Sequence, residues 1–206
     1  MVKSIKVIQT DPAMIEVEFN PLPQKLIEYI FDKQNFQQQS FENLVVENGR
    51  LALQVEKVDR KKLAIFRDHF TSGFKTITKR LVDLDVLRLP IFYDFEDWYN
   101  NNDFKNKQAF GVMLDMPGFS QPFHLDNRFS MWAGSINLED NDTTTIFTTE
   151  NNHWINQGLD PSEYYYKANG KKFTGTFWVN TENNWHGVPL VKKERRVIVC
   201  NQMLAV

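Results

Sequence analysis

The chain has 206 residues, 42% of them hydrophobic, a formal charge of −2 and a pI near 6.1. That length supports one domain, 1–206, with a substantial core, and the near-neutral charge excludes strong attraction to nucleic acid or an anionic membrane, despite the local basic run 192–196. Cys200 is the only cysteine, which excludes an intramolecular disulfide and a thiolate-rich metal site and predicts a reducing, cytoplasmic setting. The first residues lack a signal-like apolar block, and no run of about 18 apolar residues is present to span a bilayer, so a soluble protein is expected.

In chain order, Ile15, Val17 and Phe19 alternate with Glu16 and Glu18, the period of a half-buried strand ended by Pro21 and Pro23. Leu26, Ile27, Ile30 and Phe31 then recur at helical spacing, with Pro23 suited to a first helical turn. Leu44 to Val58 reads as one or two strands broken at Asn48-Gly49, a hairpin signal. Leu63, Phe66, Phe70, Phe74, Ile77 and Leu81 trace one apolar stripe, which predicts a single long helix of about five turns.

Past Pro90 the pattern changes to short strand-like runs: Ala109 to Asp115, Pro122 to His124, Ser130 to Leu138, Thr143 to Thr149, Phe173 to Val179, Trp185 to Pro189 and Arg195 to Gln202. Helices first and strands second predict an α+β fold with an antiparallel double-sheet jelly roll. On this reading residues 1–107 form a supporting region of helix and strand, and 108–206 carry most of the barrel and the chemistry.

The chemistry-bearing residues are His124 and Asp126, His186, and Arg195. In a strand, residues two apart project to one face, so His124 and Asp126 can share an ion while Leu125 points away. With His186 as a distal third ligand, two imidazoles and a carboxylate leave one side of the metal open, the ligand set of non-haem Fe(II) oxygenases. Arg195 begins the apolar run Val197-Ile198-Val199, and a guanidinium buried there would need a carboxylate partner. Alternation sends Arg195 and Arg196 to opposite faces, so one of the two is inward.

These segments, with Phe173 to Asn180 ahead of Asn184-Trp185-His186-Gly187-Val188-Pro189, resemble the 2-oxoglutarate- and Fe(II)-dependent oxygenases over roughly residues 108–203. Within them the pattern is most similar to the prolyl-4-hydroxylase-like branch. The resemblance implies a double-stranded β-helix (jelly-roll, cupin-like) core buttressed by N-terminal helices. It further implies Fe(II) on His124, Asp126 and His186, 2-oxoglutarate paired with Arg195, O2 as second cosubstrate and ascorbate as supporting reductant. The implied reaction is hydroxylation of a C–H bond, with a prolyl residue of a peptide or protein as candidate substrate, and a carboxylate at position 126 favours it over halogenation. The sequence departs from that branch in offering Val112, Met113 and Leu114 where a cosubstrate-binding Tyr is frequent. Ser135 or Asn137, on one face of the next strand with Ala133, could stand in for it. A Zn-dependent hydrolase, and a non-catalytic jelly-roll binding module using the same ligands, remain alternatives.

Two aromatic-bearing loops are candidate cavity walls. The stretch between Thr149 and Lys171 offers Trp154, Tyr164 and Tyr165 as substrate contacts. Asp94 to Lys107, with Trp98 and Tyr99, is the second.

Overall fold

The computed structural model describes residues 1–38, 49–87, 94–101, 107–126, 130–148 and 164–203. Two antiparallel sheets dominate. The larger uses β1 (Val2–Thr10), β2 (Ala13–Phe19), β3 (Phe36–Gln38), β4 (Arg50–Leu53), β5 (Gln108–Asp115), β7 (Ser130–Asn137), β10 (Thr174–Val179) and β12 (Arg195–Met203). Their spatial order is β1-β2-β10-β7-β12-β5-β4-β3. The smaller sheet runs β6-β11-β8-β9, from β6 (Gln121–His124), β8 (Ile146–Thr148), β9 (Tyr166–Lys167) and β11 (Trp185–Val188). Four described helices, α1 (Gln24–Ile30), α2 (Arg60–Thr71), α3 (Phe74–Asp83) and α4 (Phe95–Asn101), complete the mixed fold. No helix among the described residues is long and apolar enough to cross a membrane.

The helices lie against one face of the large sheet because each side supplies an apolar stripe. Phe66, Phe70, Phe74, Ile77 and Leu81 share one buried cluster with Val17 and Phe19 of β2, Trp132 and Ile136 of β7, Phe177 of β10 and Ile198 of β12. Burying side chains of this size is worth about 1.5–3 kcal/mol each. Trp132 stands edge-on to Phe74 at 5.1 Å, and its indole N–H donates to the Thr78 hydroxyl at 3.0 Å, so its one polar atom is satisfied inside the core.

The structure departs from the expected first half at two points. The apolar stripe from Leu63 to Leu81 lies on two helices, not one, because Ser72-Gly73 interrupts the run and the stripe resumes on the same face in α3. A strand absent from the sequence reading, β1, pairs with β2. Irregularities at Val2/Ser4 and Val7/Gln9 break its period-two alternation, which hides it from a periodicity argument. Of the strands in residues 1–107, β1 to β4 all belong to the large sheet. Of the stretch from Leu44 to Val58, residues 39–48 lie outside the described set, and the rest forms β4 and a short 3-10 turn, Val55–Lys57. Gly49, at φ 112°, precedes β4 in a conformation that a side chain would strain, and its carbonyl accepts from the Met116 amide at 2.6 Å.

Candidate metal centre and its cavity

A cavity of about 510 Å³ is lined by residues of both sheets, among them His124, Asp126 and His186 at one place and Arg50 and Arg195 at another. Period-two projection puts Ala133 and Ser135 of β7, and Arg195, Val197, Val199 and Asn201 of β12, on the face of the large sheet opposite the helices. The small sheet contributes Gln121, His186 and Val188.

Strand register builds the metal centre. His186 on β11 pairs with His124 on β6, and their rings lie 4.4 Å apart between centroids. Gly187 makes this approach possible: a Cβ there would come within 2.8 Å of the Gln121 carbonyl oxygen and 3.2 Å of the Phe123 nitrogen. Asp126 lies two residues beyond the end of β6, so its position is set by β10 and the turn after it and not by ladder pairing. The Trp178 indole donates to Asp126 Oδ2 at 2.8 Å, and the Asn180 amide donates to the Asp126 carbonyl at 3.1 Å. The three side chains offer ligand atoms within 4.8 Å of one another, with His186 Nε2 at 3.5 Å from Asp126 Oδ2.

The imidazole tautomers suit a metal. Nδ1 of His124 lies 3.0 Å from the Pro122 carbonyl oxygen, and Nδ1 of His186 lies 3.1 Å from that of Asn184. A carbonyl only accepts, so both rings carry their proton on Nδ1 and present Nε2 as a lone pair. Consistent with this, the Gln121 amide sits 3.3 Å from His124 Nε2, where it acts as donor. Burial, assisted by the neighbouring His124, pushes the His186 pKa down to about 4, although Asp126 opposes the shift. His186 is therefore a neutral ligand at physiological pH. This donor set fits a divalent ion with free coordination positions.

The other end of the cavity is a charge cluster. Asp115 on β5 is the register partner of Arg50 on β4 and of Arg195 on β12, so three charges stand in one row across three strands. Arg50 holds the Asp115 carboxylate with Nε at 2.6 Å and Nη2 at 3.0 Å. Arg195 adds Nε at 2.6 Å and gives Nη1 to the Thr143 carbonyl at 3.1 Å. Burial alone would raise the Asp115 pKa, but Arg195 and Arg50 outweigh it and hold the group below the ordinary carboxylate range. Asp115 is fully buried and does not line the cavity, whereas Arg50 and Arg195 both do.

A buried Arg195 needs a carboxylate, expected from the sequence to be a ligand's, but the protein itself supplies one in Asp115. What calls for an external anion is the excess of two guanidiniums over one carboxylate, and that excess includes Arg50, which sequence reasoning missed. The only signal for Arg50 was its place after an Asn-Gly turn. Its pairing with Asp115, across 65 residues, is a property of sheet register.

The remaining candidates divide. Ser135 lines the cavity, with its hydroxyl 3.4 Å from that of Thr145, another lining residue. Asn137 does not line it, and its amide is used on the Asn169 carbonyl at 2.8 Å. Tyr164 is exposed and outside the lining. Tyr165 is also outside it, and its hydroxyl donates to the Asn184 side chain, bracing the residue whose carbonyl orients His186. Trp154 lies outside the described residues. Trp98 and Tyr99 pack in the main core beside Phe95. Arg196 turns away from Arg195 and takes Glu139, whose carboxylate also accepts from the Arg196 backbone amide at 2.8 Å.

One lining residue carries an unmet hydrogen-bonding group. Asn201 pairs across the sheet with Ala109 on one side and Ala133 on the other, so its strand neighbours offer only methyl groups. Its buried Oδ1 has no hydrogen-bond partner among the described residues. Ala133 is in turn the register partner of Trp178, which touches the metal centre.

No protein-family model and no curated protein matches the sequence. Comparison of structures does find relatives. A prolyl hydroxylase from Trichoplax adhaerens, solved with a peptide fragment of the hypoxia inducible factor oxygen degradation domain, superposes with a TM-score of 0.61 at 12% identity. The match covers 94% of this chain and 84% of that one. A prolyl-4-hydroxylase from Pseudomonas putida matches with a TM-score of 0.53 at 10% identity, over 93% and 92% of the two chains. At these identities the likeness is one of fold, and the chain has the fold of the prolyl hydroxylases.

Proposed function

We propose that the protein is an Fe(II)- and 2-oxoglutarate-dependent dioxygenase that hydroxylates a C–H bond, with a prolyl residue of a peptide or protein as candidate substrate. Its two sheets then form the double-stranded β-helix core of that class. The observation that carries the reading is the presence, in one cavity, of an oriented His-Asp-His set and a buried excess of positive charge.

His124, Asp126 and His186 would hold Fe(II), and the guanidinium end would take the remote carboxylate of 2-oxoglutarate. Iron, the cosubstrate and O2 together supply the oxidation, which releases succinate and carbon dioxide and delivers one oxygen to the substrate. The charges balance: a dication with the Asp126 carboxylate leaves one positive charge, the arginine cluster adds another, and the cosubstrate is a dianion. A Zn hydrolase built on the same three ligands would have no use for the second charge.

The chain's own part is positioning. Trp178 fixes the Asp126 carboxylate, and the Asn184 and Pro122 carbonyls fix the two imidazoles. Ser135, beside Thr145, offers a hydroxyl on the wall between the two ends, in place of the missing tyrosine. Val197 and Val199 keep that stretch of the cavity apolar and exclude water from around the ligand. On the substrate side, Asn201 Oδ1 is an unmet acceptor for a substrate N–H or O–H group, such as a peptide amide next to the oxidised residue.

The test is succinate formation from 2-oxoglutarate by purified protein with Fe(II) and ascorbate, with and without proline-containing peptides, the peptides being checked for gain of one oxygen. Turnover that is absent, or that Asp126→Ala leaves unchanged, would overturn the proposal.

A further inference from the structure

We infer that Arg50 is a positioning residue for the carboxylate bound at the arginine end: through Asp115 it supplies the excess positive charge on which that binding depends, and it does so without the metal. The inference deepens the proposed function, since it takes the carboxylate to be the remote one of a dicarboxylate cosubstrate.

Three observations lead to it. First, the cluster is unbalanced: two guanidiniums, which do not lose their protons in proteins, surround one carboxylate that they keep ionised. A buried charge without a partner is costly, so the cluster has a standing affinity for an anion. Second, the donors are partly committed and partly free. Arg50 spends Nε and Nη2 on Asp115, and Arg195 spends Nε on Asp115 and Nη1 on Thr143. Among the described residues Arg50 Nη1 and Arg195 Nη2 take no acceptor, and both arginines border the cavity while Asp115 stands behind them. Third, the cluster is rigid. Asp115 is wholly buried, and the Arg50 guanidinium lies 4.3 Å from the centre of the Phe119 ring, which itself is buried. A preorganised pair of donors loses little freedom on binding.

The roles of the two arginines then differ. Arg195 with Asp115 alone would be a neutral, self-satisfied pair with little need of a ligand. Arg50 converts that pair into a cation, so it is a positioning and charge-setting residue for the bound carboxylate. The other carboxylate and imidazole groups that line the cavity, Asp126, His124 and His186, belong to the metal centre, and of these only the Asp126 carboxylate opposes an anion. Because the cluster does not involve the metal ligands, a dicarboxylate without a 2-oxo group binds here too, and succinate, the reaction product, competes with the cosubstrate.

The experiment uses glutarate, which cannot chelate through a 2-oxo group, titrated calorimetrically into full-length protein freed of metal with EDTA. One site is expected, weakened at least tenfold in Arg50→Met and largely retained in Arg50→Lys. Arg50→Met leaves the Arg195 and Asp115 pair neutral and should fold, which far-UV circular dichroism checks. Should it not fold, a thermal-shift titration of the unaltered protein decides, because failure of glutarate to stabilise the metal-free fold overturns the inference. Glutarate binding that Arg50→Met leaves intact overturns it as well. Turnover of 2-oxoglutarate without metal-free glutarate binding sinks this inference and spares the proposed function, and glutarate binding without turnover does the reverse.

Discussion

At the metal end of the cavity, two histidines meet across one antiparallel pair, and each is oriented by a backbone carbonyl two residues before it. At the arginine end, three charges converge from β4, β5 and β12, and they orient one another. The first arrangement is local and costs the fold little, because its two imidazoles meet on a single strand pair and its one carboxylate is held by the Trp178 indole. The second is buried and long-range, so the protein's stability depends on keeping it complete. The difference teaches that function at one end can be lost without loss of the fold, whereas the other end couples the two.

Removing Asp115 tests that contrast most severely. Asp115→Ala leaves two buried guanidiniums facing each other without an anion, and breaking a buried ion pair in this way costs roughly 3–5 kcal/mol. We expect a large fall in the denaturation midpoint in urea. His124→Ala should move that midpoint little while abolishing metal binding. Equal destabilisation by the two changes would erase the distinction between the ends.

A milder change sharpens the metal end. Trp178→Phe keeps the ring that packs on His186 at 4.6 Å between centroids but removes the indole donor to Asp126. Loss of such an outer hydrogen bond typically lowers metal affinity about 10–100-fold. Calorimetric titration with Mn(II) or Fe(II) under anaerobic conditions measures it, and an unchanged affinity would show that Asp126 does not rely on Trp178.

How much of each end was legible in the sequence follows from the same contrast. His124, Asp126 and His186 could be read because local motifs contain them, and Gly187, which permits the close approach, lies inside one of those motifs. Arg50 could not, since nothing in its neighbourhood distinguishes it from a surface arginine at a hairpin. Only the placing of β4 beside β5 gives it a role. The same limit explains the helix forecast: an apolar stripe reports a face, and the face continues across Ser72-Gly73 although the helix does not. Asn137 shares its strand face with Ser135, yet Asn169 takes up its amide, a contact no alternation rule could anticipate.

Acid sensitivity gives a subtler test of the arginine end. The folded pKa of Asp115 is depressed, so its ionisation stabilises the fold above the ordinary carboxylate value, and that contribution is lost as pH falls through the folded value. Arg50→Met removes one of the two stabilising cations and moves the folded value upward. The variant should therefore unfold at a higher pH than the unaltered protein when followed by tryptophan fluorescence during acid titration. Coincident acid transitions would mean that Arg195 alone holds Asp115 ionised.

The smallest effect is expected at Asn201, and its sign is the informative part. A buried acceptor left without a donor costs the fold about 1–3 kcal/mol, and here the cost is built in because Ala109 and Ala133 flank the side chain. Asn201→Leu, close in size and free of that acceptor, should raise stability by about 1 kcal/mol, read as a rise in the urea midpoint. If the acceptor serves a substrate, the same variant loses peptide-stimulated turnover while its basal consumption of 2-oxoglutarate persists, because the metal and arginine ends are untouched. A variant that is more stable and fully active on peptide would mean that the unmet group serves no substrate. A stability gain accompanied by uncoupled turnover would place Asn201 where the cavity receives its primary substrate.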